Sequence, residues 1–265
     1  MTIERWEACG NVYLLVEQQR LPRPLDASVV RALSDPSLGL GGDGVLELFD
    51  EPERADVSMR IWNPDGSPTE ACGNGTRMAA RWIAERTGKS EVTVATAAGV
   101  LACHVEGETI SAALAPAMLA GSQYQPGVVA FPYPHRFVSI GNPHVVIPVD
   151  DVAAFPLAAV GPSLEHHAWF PERTNVEVTM PIDRHRLRMR VWERGVGETL
   201  ACGSGACAAA VAAIEDGTAD SPVTVEVPGG ELVVTVGPGR EVTLTGPARR
   251  LELLVLPEHV QALLR

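Results

Sequence analysis

The sequence predicts an α/β (α+β) protein built from two pseudo-symmetric domains, each a strongly curved, mostly antiparallel sheet wrapped around a central helix. Three observations support this prediction: a long internal repeat, a predominance of short β-rich runs, and one helical segment that follows the same motif in each copy. The chain has 265 residues, of which 46% are hydrophobic, so two packed domains of about 130 residues each are possible.

The repeat is clearest around two identical cysteine motifs. Met59–Gly75 (MRIWNPDGSPTEACGNG) and Met189–Gly205 (MRVWERGVGETLACGSG) align without a gap. The match continues in both directions, since Gly10-Asn11 corresponds to Gly141-Asn142 and Ala115–Ala117 to Gly246–Ala248. We therefore expect domains at residues 1–117 and 118–248, with a boundary in the Gly- and Pro-bearing stretch 115–134. The C-terminal segment 249–265 is a candidate addition to the first domain.

The elements of the first copy follow from apolar alternation and turn residues. Four apolar runs separated by Gly, Pro and Asp-Gly turns predict strands. The segment after the first cysteine motif, NGTRMAARWIAERTG, has an apolar stripe at helical spacing and ends at Gly88, a typical helix stop. The predicted strands are Tyr13–Val16, Val45–Phe49, Val57–Trp62 and Val92–Ala95, and the helix stripe is Met78, Ala79, Trp82 and Ile83.

The second copy predicts its own central helix, GACAAAVAAIEDG, closed by Gly217. This segment is apolar nearly all round, so we expect the sheet to enclose it. The C-terminal PEHVQALLR predicts a short closing helix.

Composition excludes several classes of function. The net charge of −12 disfavours nucleic acid as a partner, because such binding needs clustered cations. The longest apolar run, Ala206–Ile214, is less than half of the roughly 20 residues that a membrane-spanning helix needs, and the N-terminus lacks a signal-peptide pattern. Five cysteines without a CxxC pair fit a reducing compartment. We expect a soluble, cytoplasmic protein without disulfides or a membrane partner.

The two repeated cysteines, Cys72 and Cys202, lie where a strand turns through glycines into a helix. A helix N-terminus carries unpaired N–H groups and about half a positive charge, which favours a thiolate and binds a carboxylate. If the two domains are related by a pseudo-twofold axis, the sulfurs face each other across the cleft between them. Inversion at a carbon needs this symmetry, because a base removes the proton on one face and an acid supplies one on the other. The chemistry predicted is racemisation or epimerisation of an amino acid.

Cofactors are not expected. The chain has no obvious Lys-centred site for pyridoxal phosphate, so paired helix N-termini must stabilise the carbanion-like charge. A zinc site from Cys202, Cys207 and a histidine fits no standard spacing, and we predict no metal. Cys9, Cys103 and Cys207 have no cysteine counterpart in the other copy and are predicted to be core or incidental thiols. The alternative is that the repeated turn is purely structural, because a free cysteine is commonly a small buried hydrophobic residue.

Polar residues near the cysteines favour a functional site. They lie beside Gly or Pro turns or at strand ends, where loops present groups to a cleft. Glu193-Arg194 occupies the place where the first copy has Asn63-Pro64, so the copies differ in polar residues while keeping the cysteines. His144 is the one histidine in a repeated motif. The candidates are Asn11, Asn63, Asn142, Asn175, Glu193 and Arg194.

These motifs resemble those of diaminopimelate epimerase, and the resemblance covers nearly the whole chain. The matching segments are CGN at residues 9–11, GLGGDGVL at 39–46, NPDGSPTEACGNGTR at 63–77, GNPHVV at 141–146, RTNVE at 173–177 and WERGVGETLACGSGACA at 192–208. The family implies a diaminopimelate epimerase-like fold with the active site between two domains. It also implies cofactor-independent interconversion of LL- and meso-diaminopimelate in lysine and cell-wall precursor synthesis, and a homodimer.

The resemblance also implies roles for individual residues. Cys72 is the proton donor and Cys202 the acceptor in the LL-to-meso direction, and His144 and Glu193 tune the thiols. Two departures concern the mouth of the site: many members read GNDF where this chain has Asn11-Val12-Tyr13, and some carry Gln at Gly44. The implied substrate-binding residues are Asn11, Gly44, Asn63, Gly73, Asn74, Asn142, Asn175, Glu193, Arg194, Gly203 and Ser204.

Two alternatives stay open. Related cofactor-independent racemases of proline, hydroxyproline or histidine share the two-cysteine plan, although the Glu193-Arg194 pair favours a diacid substrate. A non-catalytic binding protein whose two thiols form a reversible disulfide is the alternative from another class.

Overall fold

The computed structural model describes residues 2–69, 72–127 and 129–264 and has a mixed α/β architecture in which strands dominate. Its contacts divide the chain into two units. Unit 1 holds the described residues up to Ala112 together with those from Gly246 onward, and unit 2 holds Ala113–Thr245. Both units contain the same succession of strands and helices, so the repeat in the sequence corresponds to a repeat in the structure.

Unit 1 is a mostly antiparallel sheet. Its elements are β1 (Thr2–Ala8), β2 (Asn11–Glu17), α1 (Ala27–Ser34), β3 (Gly44–Phe49), β4 (Val57–Trp62), β5 (Pro68–Thr69), α2 (Gly73–Thr87), β6 (Glu91–Thr96), β7 (Gly99–Glu106) and β8 (Thr109–Leu114), with a 3-10 turn at Gln18–Arg20. Strand β2 pairs parallel with β3, and β4 pairs parallel with β6. The other neighbours, β1–β2, β3–β4, β4–β5, β6–β7 and β7–β8, pair antiparallel.

Unit 2 repeats this pairing. Strands β10 and β11 are parallel, as are β12 and β14, and the remaining pairs are antiparallel. The elements are β9 (Arg136–Ser139), β10 (Pro143–Pro148), α3 (Leu157–Glu165), β11 (Asn175–Asp183), β12 (Arg186–Glu193), β13 (Gly197–Thr199), α4 (Gly203–Glu215), β14 (Val223–Val227), β15 (Gly230–Val236) and β16 (Val242–Pro247).

The C-terminal segment belongs to unit 1. Strand β17 (Arg249–Val255) pairs antiparallel with β1, and the predicted closing helix is confirmed as α5 (Glu258–Leu263). Val260 of α5 packs in one buried cluster with Val29 and Leu33 of α1.

The central helices lie where the sequence places them. Helix α2 contacts β1, β3, β4, β6 and β7, and Gly88 ends it with a left-handed φ of 71°. Helix α4 contacts strands β9, β10, β11, β12, β14 and β15, and residues 205–212 are buried throughout. The expectation that the sheet encloses an all-apolar helix is confirmed. Each sheet therefore curves round its helix and holds the start of that helix in a defined place.

Helices α1 and α3 were not predicted from the sequence. Helix α1 begins at Asp26, whose carboxylate accepts hydrogen bonds from the N–H groups of Ser28 and Val29. Helix α3 contains Pro162, and its Gly161 lies against the ring of Trp192, where a β-carbon would be 2.6 Å from a ring carbon. No helix of the described residues is long and apolar enough to cross a membrane.

Candidate active site

Both repeated cysteines are the N-caps of the central helices. The Gly75 N–H donates to Sγ of Cys72 at 3.2 Å, and the Gly205 N–H donates to Sγ of Cys202 at 3.4 Å. Both caps have extended backbone angles and are followed at once by helix. The thiols therefore lie at helix N-termini, as the sequence predicts. Glu70 and Ala71, which precede Cys72 in the motif, lie outside the described residues.

The last glycine of each CGxG motif is explained by a close approach. A β-carbon at Gly75 would lie 2.9 Å from Cδ2 of Leu46, and one at Gly205 would lie 2.7 Å from Oε1 of Glu177. Strands β3 and β11 thus press a side chain directly onto the first turn of each helix. Only glycine leaves room for this contact, which is why the motif is copied together with the strands.

The setting of Cys202 corrects one expectation. The side chain is buried, and burial together with the nearby carboxylates of Glu193 and Glu177 raises the pKa of its thiol well above the usual value. Hydrogen bonds with Ser204 and the Gly205 N–H act in the opposite direction but are weaker. The predicted lowering of this thiol's pKa by the helix N-terminus is therefore wrong for Cys202, because desolvation and two carboxylates outweigh about half a positive charge.

Glu193 and Cys202 form a coupled pair. Burial is the largest cause that raises the pKa of Glu193, and hydrogen bonds with Thr199 and Cys202 partly oppose it. A buried carboxyl with a raised pKa holds a proton more readily, so its proton affinity moves toward that of a thiol. The protonation state of each group therefore affects the titration of the other.

A second buried carboxylate, Glu177, was not predicted as a site residue. Its Oε1 lies 2.7 Å from Nδ1 of His144, and both side chains are fully buried. Nε2 of His144 lies 3.0 Å from Oδ1 of Asn142. Because Nδ1 faces a carboxylate, it carries the proton that orients the ring. The signal in the sequence was an acidic residue in the middle of the apolar strand NVEVTM.

Asn175 links three segments of unit 2. Its amide nitrogen donates to the carbonyl of Pro143 at 3.0 Å, and its Oδ1 accepts from the backbone N–H of Arg194 at 2.9 Å. The guanidinium of Arg194 donates to the carbonyl of Glu172. Asn175 therefore holds the turn that carries Arg194 in place, and its predicted contact with substrate stays a prediction.

The surroundings of Cys72 in unit 1 are different. Its half-buried side chain lies 3.6 Å from the hydroxyl of Tyr13. The side chain of Asn74 donates to Oδ1 of Asn11 at 2.5 Å and accepts from the buried guanidinium of Arg77 at 2.6 Å. Arg77 thus fixes one asparagine pair beside the thiol, a role that the sequence did not indicate.

The remaining predicted residues lie at strand ends and helix starts. Asn63 follows β4, and its side chain donates to Oγ of Ser67 at 3.0 Å. The predicted site residues fall into two groups, one in each unit. Among the residues described, no three or more His, Cys, Asp or Glu side chains form a cluster that could hold a metal ion. Unit 1 carries Asn11, Gly44, Asn63, Cys72, Gly73 and Asn74; unit 2 carries Asn142, His144, Asn175, Glu193, Arg194, Cys202, Gly203 and Ser204.

Comparison with known sequences finds similarity over most of the chain. The sequence profile of the diaminopimelate epimerase family matches residues 7–118 and 136–251. A diaminopimelate epimerase of Rhodospirillum centenum is 41% identical over 252 residues, covering 90% of this chain and 86% of that protein. The enzyme of the same name from Pseudomonas fluorescens is 44% identical over 259 residues, covering 91% and 94%.

Solved structures with low sequence identity share the fold. A hydroxyproline epimerase of Agrobacterium vitis has a TM-score of 0.68 at 15% identity, covering 97% of this chain and 91% of that one. A phenazine biosynthesis protein of Bacillus anthracis has a TM-score of 0.67 at 17% identity, covering 96% and 98%. The predicted fold class is confirmed by these likenesses.

Adding a methyl group at the Gly205 turn tests the close approach of Glu177. We expect Gly205→Ala to lower the free energy of unfolding by about 1–3 kcal/mol, because the β-carbon overlaps a buried carboxylate oxygen. Gly121→Ala is the matched control, since no atom lies within 4 Å of its β-carbon. Urea unfolding of both variants measures the difference, and equal stabilities contradict the packing described.

Removing the charge of Glu193 tests its effect on Cys202. Glu193→Gln removes a negative charge that raises the pKa of the Cys202 thiol, so more thiolate forms at a given pH below that pKa. We expect alkylation of Cys202 by iodoacetamide at pH 8 to become severalfold faster, as followed by tandem mass spectrometry. The control Glu198→Gln removes a carboxylate that pairs with Arg190. A slower or unchanged reaction in Glu193→Gln contradicts the stated cause.

Proposed function

The chain belongs to the diaminopimelate epimerase family, and we propose that it interconverts LL- and meso-2,6-diaminopimelate with Cys72 and Cys202 as its acid and base. The observation that carries this proposal is that each cysteine caps its central helix with the sulfur. The activity is that of an isomerase, and it serves lysine and diaminopimelate biosynthesis. We propose that no cofactor takes part.

The chemistry requires two proton transfers at one α-carbon. In the LL-to-meso direction we assign Cys202 as the group that removes the α-proton and Cys72 as the group that supplies one to the opposite face. The carbanion-like charge spreads into the substrate carboxylate. The N–H groups at Gly73-Asn74 and Gly203-Ser204, in the first turns of α2 and α4, are suited to bind that carboxylate and stabilise the charge.

Glu193 offers a route by which Cys202 becomes a base. The thiol proton moves to the carboxylate of Glu193, and the thiolate then takes the α-proton while Cys72 delivers its own proton to the opposite face. This leaves Cys202 as a thiol, Glu193 protonated and Cys72 as a thiolate. Release of the Glu193 proton to solvent and uptake of one proton from solvent by Cys72 restore the resting state. The charge of Glu193, which acts on the Cys202 thiol, and the raised pKa of this buried carboxyl support the assignment. His144, oriented by Glu177, is assigned to tune the same thiol.

Other polar groups are assigned to bind the rest of the substrate. Arg194 is suited to the distal carboxylate, because a guanidinium can bind a carboxylate through two parallel hydrogen bonds. Its backbone is held by Asn175. The remaining proposed contacts are Asn11, Gly44, Asn63, Asn142 and Asn175.

The cytoplasm is the proposed location of the enzyme. Acid–base catalysis by two thiols requires that both stay reduced, and a reducing compartment provides this.

A homodimer is the proposed assembly. Leu251, Leu253 and Val255 alternate along β17, so they lie on one face of the strand, and they are 44%, 60% and 69% exposed. A row of large apolar side chains facing water is typical of an interface. We therefore propose that β17 of one copy contacts β17 of a second copy.

Removing either sulfur tests the catalytic assignment. In deuterated water we expect the wild type to place deuterium at one α-carbon of LL-diaminopimelate. Cys72→Ala and Cys202→Ala should each lower turnover by about 10³-fold or more, since each removes an acid or a base. Cys103→Ala, which removes a buried thiol in β7, is the control and should keep turnover near the wild-type value. Full activity in either of the first two variants would refute the assignment, and a substrate panel with proline, hydroxyproline and histidine tests the racemase alternative.

A charge on β17 tests the dimer. Leu253→Arg places a cation in the exposed apolar row, and we expect it to convert the dimer into a monomer in light-scattering chromatography, because an unpaired charge in an interface is costly. Leu38→Arg is the matched control, because Leu38 is 71% exposed and lies outside β17. A wild type that elutes as a monomer, or a dimer that persists in Leu253→Arg, argues against this interface.

A further inference from the structure

The hydroxyl of Tyr13 is a polar neighbour of the Cys72 sulfur. Tyr13 lies in β2, and its Oη is 3.6 Å from Sγ of Cys72, within the range of a sulfur hydrogen bond. The thiol of Cys72 is the donor in this arrangement. The sequence indicated no catalytic role for Tyr13, which appeared there only as a strand residue and in a departure from the family pattern at residues 11–13.

The ring of Tyr13 is held by its neighbour on β3. Tyr13 pairs with Gly44 in the parallel register of β2 and β3, and a β-carbon at residue 44 would lie 2.7 Å from a ring carbon of Tyr13. The carbonyl oxygen of Trp62 approaches the same point even more closely. The ring therefore occupies the space that a side chain at residue 44 would fill, and this packing directs the hydroxyl toward Cys72.

The repeat places a side chain of the same kind beside β11. His144 is 131 residues after Tyr13, and it pairs with Asn175 just as Tyr13 pairs with Gly44. Each unit therefore has an aromatic ring with a polar tip at the same register position. Two residues further along each strand, the side chains differ. Leu46 lies against the Gly75 turn, and Glu177 lies against the Gly205 turn. The turn of Cys72 is therefore packed by an apolar side chain and the turn of Cys202 by a carboxylate.

We propose that Tyr13 is a catalytic residue that hydrogen-bonds Cys72 in both of its protonation states. This inference rests on the proposed function, in which Cys72 alternates between thiol and thiolate. A hydroxyl suits this task because it both accepts and donates. While Cys72 carries its proton, S–H donates to Oη of Tyr13.

The proton transfer leaves the tyrosine chemically unchanged. As Cys72 protonates the substrate, the S–H bond breaks, the electron pair of the carbanion forms the new C–H bond, and the sulfur keeps its own pair as a thiolate. The O–H of Tyr13 then turns and donates to that thiolate. In the reverse direction the sulfur takes the α-proton and the O–H turns back, so no oxidant or further proton is required.

Other charged or titratable groups on the surrounding elements have partners of their own. Glu7 accepts from the Gly10 N–H, Asp43 accepts from the Val12 N–H, and Glu47 accepts from Nε1 of Trp62. On α2 itself, Arg77 donates to Asn74 and to Sγ of Cys9. Each of these groups thus has a hydrogen-bond partner other than the hydroxyl of Tyr13.

Tyr13→Phe, which keeps the ring and removes the hydroxyl, tests the proposal. The first readout is the pH dependence of Cys72 alkylation by iodoacetamide in a Cys202→Ala background. It is followed on the tryptic peptide 61–77, which contains Cys72 as its one cysteine. Loss of a donor to the thiolate should move the midpoint up by about one pH unit. The second readout is kcat/KM in the otherwise wild-type enzyme, where we expect a fall of about tenfold in both directions, because the equilibrium constant of the reaction does not change.

Tyr124→Phe is the matched control. It removes a hydroxyl that lies 3.1 Å from Nε2 of His135 in the aromatic cluster of unit 2. It should change neither the alkylation midpoint nor kcat/KM, and circular dichroism should show that both variants fold. An unchanged midpoint in Tyr13→Phe overturns the proposal whatever happens to turnover, and so does a shifted midpoint with unchanged kcat/KM. The alkylation readout needs no turnover, so it distinguishes failure of this proposal from failure of the proposed epimerase activity.

Discussion

The candidate site depends on one interaction, the hydrogen bond from the third helical N–H to a cysteine sulfur at the N-cap. It fixes Sγ of Cys72 above the first turn of α2 and Sγ of Cys202 above the first turn of α4. The same turns leave other N–H groups available for an anion. Because each helix is buried inside its curved sheet, the caps cannot shift without disturbing the core. Helix burial thus holds both sulfurs firmly in place.

The two copies share this backbone arrangement and differ in what surrounds the sulfur. In unit 2, Glu177 and Glu193 bring negative charge to a buried thiol and raise the pKa of Cys202. In unit 1 the corresponding strand position holds Leu46, and the polar neighbour is the hydroxyl of Tyr13. The two units therefore hold chemically unequal thiols.

Part of the site could be predicted from the sequence because the residues that specify it are close together in the chain. The cysteine motif, its glycines and the apolar stripe of α2 all lie within residues 71–83, so the cap and the helix were predictable. Glu177 was missed, since its contact with His144 joins residues 33 positions apart. The electrostatic setting of Cys202 was misjudged for the same reason. Helix α3 was also missed, because its close contact with Trp192 is a tertiary one.

Local patterns in the chain specify the duplication, the succession of strands and helices, and the cysteine at the start of each central helix. These features follow from hydrophobic period, turn residues and capping, which act over a few residues. Tertiary packing sets the burial and the charge around each sulfur, because neighbouring strands bring those groups from distant parts of the chain. Desolvation and charge act through space, and for Cys202 they proved larger than the local effect of the helix terminus.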